Sequence, residues 1–391
     1  MLLGLWAGGH PDNLPDSLRE VFVAEESREQ SVSDQAAELI RDRYFRVTDP
    51  DTVQDASVNG MVRQLRRKYK DRFTHYFTPE QNQQLSEALE GSFSGVGMTV
   101  GGNSRNGLEV GSVFRGSPAA GANLKPGDVI VTVDGESIRG EDVDLIVAKI
   151  KGPEGTDVTL GIRKGGEGPA RDFKLTRAEI RVPITSNQTR EVDGKTLGYV
   201  QLSTFSTGAS RALQRAVERV IEKGAEGIVL DLRENGGGLL EEAIFTSSVF
   251  IDEGEVVVET RSRTQGDATY RAIGGNIDTP PIVVLVNRNT ASAAEILAAA
   301  LQTDLGTPVV GTRTYGKGVF QEVIDLGNGG SLDLTVGEFL TAEGVSLAGK
   351  GLKPDVYAPL PDGANRDVQL NRAYGVLSDE VASAGSGDQG G

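Results

Sequence analysis

IVVLVNRNTASAAEILAAALQT, residues 282–303, is the stretch around which the rest of the chain is organised. Five apolar, mostly β-branched residues, Ile282 to Val286, predict a buried strand. A polar turn follows, and Ser292 then opens an Ala-rich run that favours a helix. The first N–H groups of a helix lack partners and favour negative charge. The hydroxyl at this junction is therefore placed to act as a nucleophile whose oxyanion product is stabilised by backbone amides.

Ser292 has two interpretations. With Glu295 it forms the sequence of a capping box, in which a serine and a glutamate satisfy N–H groups at the start of a helix. On these residues alone, a cap is the commoner outcome. The chemical interpretation depends on a second segment, GTRTYGKGVFQ, which runs from Gly311 to Gln321.

Composition limits the classes of function. The chain has 391 residues, which predicts two or three domains, and its 38% hydrophobic and 25% charged residues are typical of a globular protein. A formal net charge of −16 argues against partners that carry phosphate, both nucleic acids and anionic lipid surfaces. The absence of cysteine excludes disulfides, thiolate chemistry and cysteine-based zinc sites.

Histidine is nearly absent as well. The two histidines, His10 and His75, both precede Ser292 by more than two hundred residues. A histidine-based metal cluster is therefore not expected, and no metal or cofactor is predicted. If the protein is a hydrolase, its general base is expected to be a lysine or a carboxylate.

The first ninety residues, 1–90, are predicted to be a helical N-terminal segment. Apolar residues recur at helical spacing from Ser17 to Phe45 and from Thr52 to Tyr69, and Pro79 marks the start of a further helix. No run reaches the roughly 18 apolar residues of a membrane-spanning helix. The apolar start, MLLGLWAGG, fits either the trimmed end of a signal or anchor segment or a disordered start.

Residues 91–178 change to short β patterns separated by Gly and Pro. The segment SPAAGANLKPGDVI, residues 117–130, resembles the PDZ domain. The resemblance implies that Ser94, Gly95, Val96 and Gly97 form a carboxylate-binding loop, in which consecutive N–H groups capture the C-terminus of a peptide. The next strand would pair with that peptide. The alternative is that the glycines only serve a tight turn; a dinucleotide site is rejected, because no helix follows them.

Residues 179–375 alternate between strands and helices, which predicts an α/β core. SRALQRAVERVIEKG (210–224) and LLEEAIFTSSVFI (239–251) are the predicted helices besides the one after Ser292. All the strands are expected to join one sheet. Besides Ile282–Val286, they are LGYVQLSTF (197–205), GIVLDLR (227–233), EVVVETRSR (255–263), PVVGT (308–312), VFQEVIDL (319–326) and SLDLTVGEFL (331–340). Residues 376–391, rich in Gly and Ser at their end, are expected to be a disordered tail.

Lys317 has three interpretations. The spacing of Gly311, Gly316 and Lys317 imitates a phosphate-binding loop, but the required Ser or Thr after the lysine is missing. In the second interpretation, Lys317 is an ordinary surface lysine. In the third it is a general base for Ser292, which requires burial to lower its pKa by about 3–4 units, or about 5 kcal/mol. Gln321 could then orient the neutral amine through its amide oxygen without adding charge.

These motifs together resemble the carboxyl-terminal processing peptidases, a serine-lysine family related to tail-specific proteases. The matching segments are Asp231 to Gly238 (DLRENGGG), Thr290 to Glu295 (TASAAE) and Gly316 to Gln321, and the resemblance runs from about residue 15 to about residue 360. It implies that Ser292 is the nucleophile, Lys317 the general base and Gln321 its orienting residue. The N–H groups of Gly237 and Ala293 would form the oxyanion hole. One departure is Gly236, where the family usually has Pro.

The resemblance implies a multidomain α+β protein with a helical N-terminal segment, a PDZ-like β-rich domain and an α/β serine-peptidase core. The expected function is that of a serine endopeptidase that recognises and cleaves near the C-termini of protein substrates, here free and apolar C-termini. The alternative is a catalytically inactive or auto-inhibited PDZ-type scaffold. By analogy with the family, the protein is expected in an extracytoplasmic compartment of the cell envelope, with an upstream membrane anchor and a homodimer as further options.

Overall fold

A computed structural model describes residues 32–101, 107–140, 143–359 and 367–387. The chain divides into two compact units, one of residues 1–79 with 323–334 and one of residues 80–322 with 335–391. The apolar start and the first part of the helix predicted from Ser17 lie outside the described residues. Within the described ranges, every helix is too short or too polar to span a bilayer.

The first unit contains the helices predicted near the N-terminus. Helix α1 is Val32–Arg43 and α2 is Pro50–Tyr69. Asp49 caps α2, because its carboxylate accepts the Thr52 N–H at 3.2 Å. A short strand that was not predicted, β1, covers His75–Phe77 and pairs antiparallel with residues 331–333. The His75 and Phe77 rings are stacked with their centroids 6.1 Å apart, which fits a packing role for this histidine.

Helix α3, Pro79–Glu90, precedes the PDZ-like part, which belongs to the second unit. Strand β2 (Ser92–Gly95) pairs antiparallel with β9 (Ala178–Arg181). An antiparallel sheet has the strand order β3-β4-β5-β7-β8, with β6 beside β5. Its strands are β3 (Met98–Gly101), β4 (Leu108–Val113), β5 (Val129–Val133), β6 (Glu136–Ser137), β7 (Asp157–Arg163) and β8 (Arg171–Thr176). Helices α4 (Pro118–Gly121) and α5 (Val143–Ile150) lie between these strands in the chain.

The α/β core is a sheet in the order β10-β11-β12-β15-β16-β19, and only β10 and β11 pair antiparallel. These strands are β10 (Thr185–Val192), β11 (Lys195–Leu202), β12 (Gly227–Asp231), β15 (Ile282–Val286), β16 (Val309–Gly311) and β19 (Val356–Tyr357). The intervening helices are α6 (Ala209–Glu222), α7 (Leu240–Ser247) and α8 (Ala293–Asp304). The central strands are buried on both faces, which explains their continuous apolar sequences. The predicted α/β core and the multidomain fold class are confirmed.

The two faces of this sheet bury alternate residues of each strand. In β15, Val284 and Val286 belong to the apolar cluster formed with α6, α7 and α8. Val283 and Leu285 belong to the opposite cluster, formed with the last helix, α9 (Val368–Gly387). This alternation follows from the two-residue period of a strand.

The expectation of a single sheet is wrong. Strands β13 (Val256–Ser262), β14 (Ala268–Arg271), β17 (Val319–Asp325) and β18 (Ser331–Leu340) belong to a separate antiparallel sheet. In the second unit, β13 pairs with residues 337–340 of β18. Apolar periodicity identifies a strand but does not identify its partner, so the sequence pattern could not separate the two sheets.

The expectation of a disordered tail is wrong for residues 376–387. They form the second half of α9, and the buried Ala373, Tyr374 and Leu377 lie at helical spacing against the core sheet. Packing of this apolar face stabilises a helix whose end is rich in Gly and Ser. Residues 388–391 lie outside the described residues. The predicted boundaries after residues 90 and 178 stay predictions.

Candidate active site

The backbone at Ser292 differs from that of an ordinary helix cap. Ser292 has φ 57° and ψ −122°, whereas an N-cap residue usually lies in the β region. A residue held in such a sparsely populated conformation costs about 1–3 kcal/mol. The Glu295 N–H donates to the Ser292 carbonyl oxygen at 2.8 Å. Ser292 thus lies in a strained turn between β15 and α8, and its side chain is half-buried.

Residues 234–238 (ENGGG), here called the glycine loop, follow β12 and lie directly against this turn. Gly237 has φ 98°, and a Cβ atom built on it would be 2.8 Å from Ser292 Cβ and 2.9 Å from the Ala293 nitrogen. Glycine is therefore required here both by conformation and by space. The structure brings Gly237, Ser292 and Ala293 together, as the predicted oxyanion hole requires.

Asn235 fixes the same loop from inside the core. It is fully buried, its Nδ2 donates to the Leu202 carbonyl at 2.8 Å, and its own carbonyl accepts the Ala291 N–H at 2.9 Å. Its Oδ1 accepts the N–H of Gly237 at 2.9 Å. In this conformation the N–H assigned to the oxyanion hole is therefore already bonded to a side chain. The oxyanion role of Gly237 stays a prediction that requires this bond to exchange.

The loop that carries Lys317 is tied to the nucleophile turn through Glu295. One carboxylate oxygen, Oε2, accepts the Ser292 N–H and the Lys317 N–H, each at 2.9 Å. Because the Ser292 and Lys317 nitrogens are each 2.9 Å from the same oxygen, the distance between them is at most twice 2.9 Å. The Tyr315 N–H also donates to the Thr290 carbonyl at 3.0 Å. Residues 25 positions apart in the sequence are thus neighbours through their backbones.

Close packing around the lysine loop comes from the turn at residues 347–351. A Cβ atom on Gly318 would be 2.3 Å from the Ala348 nitrogen, and one on Gly316 would be 2.8 Å from the Gly351 nitrogen. The Gly316 carbonyl accepts the Gly349 N–H at 2.9 Å. The glycines on both sides of Lys317 therefore allow the turn to cover the loop, and the Lys317 side chain is half-buried.

Gln321 lies on β17, the strand that follows the lysine loop. Its amide nitrogen donates to Thr335 Oγ1 of β18 at 3.3 Å. This bond orients the amide group and leaves its carbonyl oxygen as an acceptor. Gln321 lies four residues after Lys317, and its action on the amine stays a prediction.

An ion-pair network lies at the end of β12, next to the glycine loop. Arg233 Nη2 donates to Asp231 Oδ2 at 2.7 Å and to Asp367 Oδ2 at 2.8 Å, and the Tyr199 hydroxyl donates to Asp231 at 3.0 Å. Burial alone would lower the pKa of Arg233, but its bonds to the two carboxylates outweigh burial and raise the pKa. Burial and the Asp231 charge raise the pKa of Tyr199. The network therefore stays charged at Arg233 and anchors the segment that leads into the loop.

Glu234, which follows this network, links the two loops at the surface. Its carboxylate accepts hydrogen bonds from the amides of Asn289 at 2.7 Å and Asn287 at 2.6 Å. These bonds lower the pKa of Glu234. No group of three or more His, Asp or Glu residues in the described ranges is arranged to hold a metal ion.

The predicted peptide-binding loop borders a small apolar groove. The groove has a volume of about 90 Å³ and lies between β3 and α5. Its lining residues are Phe93, Gly95, Val96, Gly97, Met98, Val100, Val147, Ile150 and Lys151. The Ser94 hydroxyl is buried with no hydrogen-bond partner in the described structure. Position 97 requires glycine, because a Cβ atom there would be 2.2 Å from Ser117 Cβ.

Two features of the site were not predicted from the sequence. One is the amide of Asn235, which holds the glycine loop, and the other is the reach of Glu295 to the lysine loop. A signal for the second exists: Glu295 is a single carboxylate inside the apolar run AAEILAAAL. A carboxylate on a buried helix requires several donors, and one helix start cannot provide all of them.

Comparisons with known proteins show the family of the chain. The sequence model of peptidase family S41 matches residues 196–358, and that of the PDZ domain matches residues 84–163. The carboxy-terminal processing protease CtpA of Bacillus subtilis (strain 168) is 37% identical over 327 residues, which cover 84% of this chain and 68% of that protein. A probable CtpA-like serine protease of Staphylococcus aureus (strain COL) is 34% identical over 349 residues, 88% of this chain and 67% of that protein.

Solved structures share the fold. A photosystem II D1 C-terminal processing protease is 29% identical with a TM-score of 0.50, and the match covers 96% of each chain. A putative S41 protease from Bacteroides fragilis has a TM-score of 0.54 over 88% of this chain and 97% of that chain. At 19% identity, this second match concerns the fold alone.

Proposed function

Because the chain belongs to the carboxy-terminal processing proteases, serine peptidases of family S41 with a PDZ domain, we propose that it cleaves protein substrates near their C-termini with a Ser292–Lys317 dyad. In this proposal Ser292 is the nucleophile, Lys317 the general base and Gln321 the residue that orients the amine. The observation that carries it is the shared Glu295 oxygen, which brings the backbones of Ser292 and Lys317 together.

The chemistry is acyl transfer. A neutral Lys317 amine takes the proton of the Ser292 hydroxyl while Oγ attacks the scissile carbonyl, and the protonated amine then gives the proton to the leaving amine. Water hydrolyses the acyl-enzyme with the same base. The position of Lys317 between two glycines supports this role, because the turn at residues 347–351 packs against the backbone on both sides of the lysine.

The oxyanion of the tetrahedral intermediate would be stabilised by the N–H groups of Gly237 and Ala293. Their closeness to Ser292 supports this assignment. The Gly237 N–H must first leave the side-chain Oδ1 of Asn235, since one N–H cannot direct a short bond to both acceptors. Substrate binding would therefore reorganise the loop, and the proposal includes a resting state that is not yet competent.

The substrate's C-terminus would bind along β3. This strand is at the edge of the PDZ-like sheet, so a peptide can pair with its open side. The carbonyl of Gly97 accepts the Phe114 N–H at 3.0 Å from the β4 side. In a trans peptide the following N–H, that of Met98, points the opposite way and is available to the peptide.

Lys151 provides a positive charge at this groove. Its ammonium lies 3.1 Å from Glu87 Oε2 and 5.2 Å from the centre of the Phe93 ring. A substrate carboxylate held by the loop Ser94 to Gly97 could exchange with Glu87 at this ammonium. The apolar lining of the groove supports substrates with apolar C-terminal side chains.

The test is cleavage of an unfolded protein that ends in an apolar tail. We expect Ser292→Ala to abolish cleavage and Lys317→Met to lower kcat/KM by about 10²–10⁴-fold, because the general base is lost. Lys350→Met is the matched control, since Lys350 is an exposed lysine in the turn that covers the loop. Full cleavage by the Ser292 or Lys317 variant would refute the dyad.

The second candidate is an auto-inhibited or inactive PDZ-type scaffold, and the bond between Gly237 and Asn235 favours its auto-inhibited form. A peptide with an apolar C-terminus, added in trans, separates the candidates. Activity that rises with this peptide indicates relief of inhibition. No cleavage under any condition, with a folded protein, indicates a scaffold.

An extracytoplasmic location, an upstream anchor and a homodimer are parts of the proposal that rest on the family resemblance. Cell fractionation tests the first two, because an anchored enzyme sediments with membranes and a secreted one does not. Sedimentation of the purified chain tests the third.

A further inference from the structure

Glu295 is a buried carboxylate whose hydrogen-bonding capacity is filled. It has no exposed surface and accepts bonds from Ser292 N–H (2.9 Å), Lys317 N–H (2.9 Å), Gly316 N–H (2.8 Å) and the Thr314 hydroxyl. A carboxylate has about four acceptor positions on two oxygens, and all its partners here are donors. Bonds from backbone N–H groups to a charged acceptor are the stronger kind.

A capping role explains only one of these four bonds. In a capping box, the glutamate accepts the N–H of the cap residue, here Ser292. The other three donors come from the segment Thr314 to Lys317, which is distant in sequence and has no part in the start of α8. The side chain therefore joins two segments of chain, one carrying the hydroxyl and the other carrying the amine.

This junction determines where the lysine side chain begins. A lysine has a flexible four-carbon stem, so its amine can be directed at a hydroxyl only if its backbone is fixed relative to that hydroxyl. The two bonds to Oε2 fix the Lys317 and Ser292 nitrogens against the same atom. Misplacement of a reacting group by about 1 Å can cost about 100-fold in rate.

We propose that Glu295 is a positioning residue for the Ser292–Lys317 pair, which sets the spacing of nucleophile and base rather than only capping α8. The inference rests on the proposed dyad. A glutamine at this position is expected to be a poor replacement, because its NH₂ group would face at least one backbone N–H donor at either oxygen position.

The experiment compares Glu295→Gln and Glu295→Asp with Glu242→Gln. Glu242 is a matched control, because it is a buried carboxylate of the same core that accepts two backbone N–H groups, those of Gly208 at 2.6 Å and Ser210 at 2.9 Å. Both glutamine variants replace a buried carboxylate oxygen that accepts backbone N–H groups, so both are expected to lose stability. Thermal unfolding and circular dichroism establish that each variant is folded at the assay temperature.

With folded protein, we expect Glu295→Gln to lower kcat by about 100-fold with little change in KM, because substrate binding lies elsewhere. The acidic limb of its kcat/KM profile should also shift, since the amine is held in different surroundings. Glu295→Asp keeps the charge and should recover part of kcat. Glu242→Gln should retain the wild-type dependence of kcat/KM on pH, because a loss of stability alone does not shift the acidic limb of that profile.

The inference is overturned if folded Glu295→Gln keeps the wild-type kcat and pH profile, or if Glu242→Gln loses kcat and shifts its profile equally. Ser292→Ala and Lys317→Met, assayed in parallel, separate this failure from failure of the dyad. If those two variants are inactive while Glu295→Gln is fully active, the dyad stands and only the positioning role is refuted.

Discussion

Gly237→Ala perturbs the point where the glycine loop meets the nucleophile turn. The added Cβ would lie 2.8 Å from the Ala291 carbonyl oxygen, 2.8 Å from Ser292 Cβ and 2.9 Å from the Ala293 nitrogen. Cβ atoms do not approach other atoms so closely, and two of the three neighbours are backbone, so the loop and the turn must move apart. The substitution thus acts on the nucleophile without removing any functional group.

The magnitude follows from two contributions. A non-glycine residue at φ 98° costs about 1–2 kcal/mol, and forcing an extra carbon into a filled site costs about 1–3 kcal/mol. Together these lower the free energy of unfolding by about 2–5 kcal/mol, which a domain of ordinary stability survives. The folded variant should also lose about 100-fold in kcat/KM, equivalent to about 2.7 kcal/mol, because a displacement near 1 Å at Ser292 misaligns the nucleophile.

Gly236→Ala is the control for Gly237→Ala, one residue earlier in the same loop. A Cβ on Gly236 would have no atom within 4 Å, and its φ lies outside the left-handed range. We expect this variant to change the free energy of unfolding by less than about 1 kcal/mol in either direction. Its kcat/KM should stay within about threefold of wild type, since nothing at the site is displaced.

The assay measures kcat/KM on an unfolded protein with an apolar tail, and urea unfolding gives the stability of each variant. The steric reasoning fails if Gly237→Ala is as active as Gly236→Ala. It also fails if both variants lose activity equally, because the loss would then reflect flexibility of the loop rather than contact with Ser292.

Three further predictions concern other parts of the chain. Lys151→Met should weaken binding of a peptide with a free, apolar C-terminus by about tenfold, as measured by fluorescence anisotropy, and should not affect the amidated peptide; equal weakening of both would contradict a carboxylate contact. Asp367→Asn should reduce the loss of stability in acid. Burial alone would raise the pKa of Asp367, but its bonds to Arg233 outweigh burial and lower the pKa in the folded state. The contribution of Asp367 to the free energy of unfolding is therefore present above about pH 3.8 and is lost as the pH falls further. Unfolding midpoints between pH 6 and 2 test this, and parallel curves for variant and wild type would refute it. Gly311→Ala should cost about 3 kcal/mol or more in urea unfolding, because its Cβ would be 1.9 Å from the Val286 carbonyl oxygen; a loss below about 1 kcal/mol would contradict the strand spacing.

Local pattern in the sequence predicted most elements of the core. The strand at Ile282–Val286 and the helix after Ser292 were identified from β-branched residues and an Ala-rich run, and β18 matches the predicted bounds, 331–340. These segments are predictable because burial on one or two faces imposes a period on the sequence. The PDZ-like part was predicted from the resemblance of the segment SPAAGANLKPGDVI, residues 117–130, to the PDZ domain.

The assignment of strands to sheets could not be read from the same patterns. Strands β13 and β18 were identified as strands from their apolar residues and expected in the core sheet, yet they pair with each other in a separate sheet. The end of α9 is rich in Gly and Ser, yet it is helical because its earlier turns pack on the core. In both cases the deciding energy is burial against a distant part of the chain, which local propensity does not report.

What the sequence by itself determined is the chemistry that is available: a hydroxyl at a helix start, a lysine between glycines, an amide four residues beyond it, and no thiol. What only the tertiary structure decided is how these groups are joined. The Glu295 carboxylate reaches across to the lysine loop, and the Asn235 amide holds the N–H of Gly237. The physical reason is that a hydrogen bond depends on distance and direction in space, and residues far apart in the chain acquire these only when the core packs.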